Sequence, residues 1–523
     1  MIGVRQMDDR THGYDVSVGY TYGYCREMAP AWMDLAAGAG ETSAAGGGRF
    51  LELGCGQGIG LCLLAAANPG RAFVGIDLMA EHVDHANGIA ASAGLANVQF
   101  VQGDFVELAR SWPEALGRFD HVALHGVYSW VTAPVRHALL QCIGQASAPG
   151  ALVYIGYNAQ PGWLATMPFR HMARLIHEER AAPVAEVLDR SISLFEQLRG
   201  GGAATFQLLP GLGARLDSLR KRDIAQLVHE YLHEGWEPMW HSQVAREVAG
   251  VGLAFAGSAT LPEALLPAFL PSALRDTILA QGDPLLRQDV QDFVINQFYR
   301  RDVYRRGEAP ATPTPTLTPT PTPGERAAQT RFLLLDAPAP GATLSVRTPF
   351  GELALQPPAY AGIVEALAER SLTLAELAVL PKTGGKDLAE VLQLVLMLLH
   401  AGTLGIEAPR TDHAPAQRLN AAIAREAVRG MPYDHLAAPA IGGAVPVDFA
   451  DLMLIDAWLA LGDLADETAL SERLVLSLAG SGRTLQRGGS PLEGFQERRE
   501  ARSLARTFLD RDLSKWRGLG ALA

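Results

Sequence analysis

The first 157 residues alternate short apolar runs with segments of helical period, and this alternation constrains the fold more than any other feature. Phe50–Leu53, Phe73–Ile76, Val98–Val101, His121–Leu124 and Leu152–Ile155 are each bounded by Gly, Asp or turn residues. Helical patterns lie between them at Leu61–Ala67, Ala80–Ala93 and Val135–Ala146. Strands alternating with helices at this spacing predict a parallel sheet with helices on both faces. Residues 160–240 then turn mainly helical, at Met167–Glu179, Pro183–Leu198 and Lys221–His233. A helix at Val244–Gly250, a strand at Gly252–Gly257, a helix at Leu285–Gln297 and a strand at Asp302–Arg305 follow. The expectation is an α/β Rossmann-like sheet carrying a helical insertion, with late strands returning to that sheet.

The strongest local motif is Phe50-Leu-Glu-Leu-Gly-Cys-Gly-Gln-Gly58, a strand running through a glycine turn into a helix. Glycines serve where a ligand lies against bare backbone, and the helix start offers unpaired N–H groups. A dinucleotide fingerprint needs a third glycine where Ile59 stands. The acid inside the strand, Glu52, suits a ligand carrying an ammonium rather than a pyrophosphate. Asp77 ends the second strand, where a carboxylate suits ribose hydroxyls. Asp104 and Phe105 end the third, where an acid and an aromatic suit an adenine amine and its ring. Suitable polar groups thus gather at consecutive strand ends, the edge at which open α/β sheets bind ligands.

Glu52-Leu-Gly-Cys-Gly-Gln-Gly58, Asp77 and Gly103-Asp-Phe105 resemble the motifs of class I S-adenosylmethionine (SAM) methyltransferases. That resemblance implies SAM as cofactor, held by Glu52, Gly54, Gly56, Gly58, Asp77, Leu78, Asp104 and Phe105. The first acid would lie near the methionine ammonium, the second on ribose and the third facing adenine. Tyr20–Pro30, His125–Val131, Tyr157–Trp163, His229–Pro238 and Gly252–Ala259 resemble bacterial methyltransferases with a methyltransferase regulatory domain. That group includes the rickettsial outer-membrane-protein lysine methyltransferases; the likeness runs over roughly residues 12–306 and, more loosely, the winged-helix-like part, and the threonine-proline tract departs from it. It implies a protein lysine as acceptor. A small-molecule N/O-methyltransferase and a non-catalytic SAM-sensing regulator are the alternatives.

A lysine acceptor must lose a proton from a group of pKa about 10.4, by desolvation or to a base. Aromatic walls desolvate an amine and stabilise cations. Tyr128 and Trp130, following the fourth strand, are the expected catalytic walls, and His125 is a candidate base. Tyr20, Tyr22, Tyr157 and Trp163 are the expected substrate-binding aromatics. The Asp/Asn-Pro-Pro-Tyr signature of DNA adenine and glutamine methyltransferases is absent after the fourth strand, where His125-Gly-Val-Tyr128 stands.

The tract Pro310–Pro323 alternates Thr and Pro and favours an extended path, able to hold two bodies about 40 Å apart. The expected division is 1–160 cofactor-binding core, 161–308 helical lid or regulatory region, 309–325 linker, 326–412 winged-helix-like α+β module and 413–523 helical region. A hairpin at Thr343–Val346 and Leu353–Leu355 with three helices suggests the winged-helix likeness. Its third helix, Asp387–His400, has no Arg or Lys to neutralise phosphates, so docking or dimerisation is the expected role. His229-Glu-Tyr-Leu-His233 fits a zinc-hydrolase pattern but falls in the helical insertion, and no metal is expected.

The 523 residues exceed one compact core, and their net charge of −12 disfavours nucleic acid and anionic membranes. Four cysteines make no disulfide framework, the start shows no apolar leader, and no apolar run is long enough to span a bilayer. A cytoplasmic protein without membrane insertion, with a homodimer as the candidate assembly, is the expectation.

Overall fold

A computed structural model describes residues 23–38, 47–179, 182–222, 224–307, 328–488 and 490–523. Tyr20, Tyr22 and the tract 310–323 lie outside the described residues.

The seven-stranded sheet comprises β1 (Arg49–Leu53), β2 (Ala72–Asp77), β3 (Val98–Gln102), β4 (Phe119–His125), β5 (Ser147–Asn158), β6 (Leu253–Ser258) and β7 (Tyr299–Arg306). Its order is β3-β2-β1-β4-β5-β7-β6. The first five strands run parallel, and β7 runs antiparallel between β5 and β6. All five apolar runs of the N-terminal part are strands, and the two late ones return to the same sheet. The strand order reverses between β1 and β4, which opens a crevice at their carboxyl ends.

Five helices frame this half: α1 (Pro30–Ala36), α2 (Ile59–Ala67), α3 (Ala80–Ser92), α4 (Phe105–Arg110) and α5 (Ala133–Ala146). Every residue of α2 except Gly60 is buried. A helix apolar on all sides needs cover on all sides. The sheet covers one face of α2; the helix Ala414–Val428 and the hairpin His435–Ala438/Gly443–Pro446 cover another. One apolar core therefore runs from Cys25 to Leu522. Polar contacts reinforce the join: Arg418 Nε donates to the Ala93 carbonyl at 2.9 Å, and Asn68 Nδ2 donates to the Gly442 carbonyl at 2.8 Å. Apolar burial brings the C-terminal region onto the sheet's own helices.

Residues 328–406 form strands Arg331–Leu334, Leu372–Thr373 and Leu404–Ile406, the hairpin Leu344–Thr348/Gly351–Leu355, and helices Pro357–Glu369, Leu374–Ala378 and Leu388–His400. Asp387 starts the last of these through a capping box with Glu390. Arg26 donates to its final carbonyls, Leu399 O at 3.1 Å and His400 O at 2.6 Å. The region expected to be helical, 413–523, also contains two short hairpins, His435–Ala438/Gly443–Pro446 and Gln486–Arg487/Ser490–Pro491.

The helical insertion has its own core around Trp163, Phe169, Phe195, Tyr231 and Trp236. Trp163 is 1% exposed, its indole N–H donates to the Phe298 carbonyl at 3.0 Å, and Trp236 lies 4.6 Å away edge-on. Tyr157 is fully buried on β5, donating to Asp302 at 2.7 Å. Asp302 also pairs with Arg300 and His241, so Tyr157 belongs to a charge network inside the protein. Among the described residues, no helix is long and apolar enough to cross a membrane.

Candidate cofactor and acceptor site

A cavity of about 1160 Å³, its open mouth included, lies at the carboxyl ends of β1 to β4. The glycine turn after β1 forms its floor. Gly54, Gly56 and Gly58 all have positive φ (75°, 53° and 76°), which L side chains rarely adopt. The three are not equivalent. A Cβ on Gly54 would strike Val127, and one on Gly58 would strike Ala86 and lie 2.8 Å from the Phe100 ring. Among the described residues a Cβ on Gly56 would meet nothing within 4 Å, and Gly56 lines the cavity. Gly58 is absent from the lining: it is a glycine because α3 and β3 pack against it.

Glu52 lies buried beside this turn, and its Oε2 has no hydrogen-bond partner among the described residues. Burial, and secondly the charge of Asp77, push its carboxyl up to about 8. Asp77 at the end of β2 ties the floor together. Its Oδ2 accepts from the Gly56 N–H at 2.8 Å, and its Oδ1 from the Met79 N–H at 3.0 Å. His82 Nδ1 lies 3.1 Å from the same Oδ1. Asp104 caps α4 by accepting from the Val106 N–H at 2.8 Å, and lines the cavity with Leu78 and Phe105.

His82 and His85 escaped the sequence reading. They stand three apart on α3, so both face the turn. His82 lines the cavity beside Asp77, while His85 Nδ1 lies 2.9 Å from the Gln57 carbonyl. Two histidines at that spacing directly after the β2 acid were the available signal.

The opposite wall comes from the end of β4. His125 lines it with Nδ1 2.7 Å from the Tyr154 hydroxyl and Nε2 3.3 Å from the Tyr299 hydroxyl. Burial first, then the positive charge of Arg301, push the imidazole down to about 3. These surroundings favour the neutral form of His125. Trp130 lines the cavity and stacks on His229, centroids 5.0 Å apart and planes within 6°. His233 reaches the same wall. Among the described residues, no group of three His, Cys, Asp or Glu is arranged to hold a metal ion.

Three of the aromatics expected at the acceptor do not line the cavity. Tyr128 is fully buried on the far side of the turn, donating to Glu247. Its ring packs in the core with Tyr157, and Trp163 lies in the core of the insertion. A chain reversal after β4 turns Trp130 toward the cavity and Tyr128 away from it.

Residues 45–178 match the family described as "Methyltransferase domain", and residues 223–306 match the "Predicted methyltransferase regulatory domain". The chain belongs to the class I SAM-dependent methyltransferases. This methyltransferase is 30% identical over 450 residues to an uncharacterized protein of Synechocystis sp., covering 85% of this chain and 87% of that one. It is 25% identical over 253 residues to an uncharacterized protein of Rickettsia prowazekii, covering 48% of this chain and 45% of that one. Its fold is similar to that of PKMT2 from Rickettsia typhi in complex with AdoHcy, with a TM-score of 0.67 and 16% identity. That match covers 95% of this chain and 98% of the other. The cofactor is SAM, and the donor set fits it: an unpartnered buried carboxylate oxygen at Glu52 for a cationic group, and open backbone at Gly56 for close approach.

Proposed function

We propose that this methyltransferase modifies lysine side chains of a protein. The carrying observation is the chemistry of the cavity wall. Beyond the carboxylates that face the cofactor, Trp130, Val127 and Val131 line it, and no Lys or Arg is among the described lining residues. Such a wall favours a cationic or amine guest and offers nothing to a phosphate. The resemblance to rickettsial lysine methyltransferases and the fold shared with PKMT2 support the same reading.

In this proposal Glu52 receives the cofactor's ammonium, Gly54 and Gly56 its chain, Asp77 its ribose, and Leu78, Asp104 and Phe105 its adenine. Gly58 acts indirectly, by letting the turn pack. SAM supplies an electrophilic methyl group. Trp130, Val127 and Val131 strip water from the incoming amine, which lowers its affinity for a proton. His125 stays neutral between its two phenols and orients the wall. Positioning supplies much of the rate in such a displacement.

The test is transfer of labelled methyl from SAM into an extract of the source organism, separated into protein and small-molecule fractions. Base-stable label in a few protein bands, mapped to lysine, is the expected result. Label only among small molecules would overturn the substrate assignment and leave the cofactor site standing.

A further inference from the structure

The C-terminal region reaches the cofactor turn without entering the cavity. Tyr433 follows the helix Ala414–Val428 and is buried. Its hydroxyl lies 3.2 Å from His85 Nε2. The other ring nitrogen of His85 lies 2.9 Å from the carbonyl of Gln57, between Gly56 and Gly58. A carbonyl can only accept, so Nδ1 of His85 carries the proton and Nε2 accepts from the Tyr433 O–H. The N–H of the same Gln57–Gly58 peptide donates to the Cys55 carbonyl at 3.1 Å. Both polar groups of that peptide are therefore fixed, one from within the turn and one by the relay. A neutral imidazole has two tautomers; the Gln57 carbonyl requires the one protonated at Nδ1, and the Tyr433 O–H, by donating to Nε2, adds to that preference and holds the ring in place.

We propose that Tyr433 is a positioning residue for SAM, acting through His85 on the Gln57–Gly58 peptide. The C-terminal region thereby sets cofactor affinity through one hydrogen-bonded chain as well as through packing. The aromatic ring of Tyr433 supplies the packing, and its hydroxyl anchors the imidazole and reinforces the tautomer that donates to Gln57.

The test is SAM binding to the full chain by calorimetry, without acceptor, so the result does not depend on which group is methylated. Tyr433→Phe is expected to weaken SAM about fivefold, and to lower the melting temperature of the ligand-free protein by no more than the loss of one hydrogen bond. In a His85→Ala background, Tyr433→Phe is expected to change nothing further. His85→Asn, whose amide keeps a donor for Gln57, is expected to retain more affinity than His85→Ala. Unchanged SAM affinity in Tyr433→Phe overturns the proposal, whatever happens to the melting temperature. So does an equal loss in both backgrounds, or equal losses in His85→Asn and His85→Ala.

Discussion

Trp130 and His229 lie face to face, 5.0 Å between ring centroids and 6° from parallel, joining the end of β4 to the helical insertion. Neither residue is near the other in sequence. The stack fixes the one aromatic from the β4 turn that reaches the cavity, and it makes the insertion part of the cavity wall.

Trp130→Ala removes that wall and leaves the glycine turn untouched. Turnover should fall by at least about tenfold, while SAM affinity by calorimetry stays within about twofold. An equal fall in both would move Trp130 into the cofactor site.

Asp77 has two roles that a simple truncation confounds, since it also holds the Gly56 and Met79 N–H groups. Asp77→Asn should weaken S-adenosylhomocysteine by over about tenfold. The same variant should lose far less against a 2′,3′-dideoxy analogue, which has no hydroxyls to grip. Equal losses would reduce Asp77 to a brace of the turn.

Glu52 ties cofactor binding to pH. Its carboxyl is raised from 4.5 to about 8 in the ligand-free fold, chiefly by burial. Between those values the folded protein keeps a proton that the unfolded chain has lost, so this group lowers stability as pH rises through that window. A neighbouring ammonium reverses the preference, and SAM binding at neutral pH should release a proton. Calorimetry in buffers of different ionisation enthalpy should detect it, and Glu52→Gln should abolish it.

The packing glycine and the cavity glycine of the turn should separate cleanly. Gly58→Ala drives a methyl into Ala86 and Phe100 and should cost about 1–3 kcal/mol of stability beyond the positive-φ penalty. Gly56→Ala meets no atom and should show only that penalty, about 1–2 kcal/mol. SAM affinity should suffer more per unit of lost stability in Gly56→Ala. Thermal melts with and without SAM would distinguish them.

Burial on both faces makes the strands of a parallel sheet read as unbroken apolar runs, which is why β1 to β5 and their glycine turn were legible. Helices α4 and Pro210–Leu219 were not, being short or carrying Gly211 and Gly213. The aromatic positions failed for a different reason. Tyr128 and Trp130 are two apart, but a turn rather than a strand joins them, so no period tells which one faces the ligand. Tyr157 and Trp163 are large and amphipathic, equally suited to a wall or to a satisfied interior site. The docking of Tyr433 on His85 joins residues far apart in sequence and left no local trace.

The all-apolar α2 carries a practical consequence. The threonine-proline tract invites a cut at that point, yet the residues on either side share one hydrophobic interior. A fragment ending before the tract would present an oily helix to water and precipitate. Any graft of this catalytic centre onto another scaffold must carry the helix Ala414–Val428 and its hairpin along.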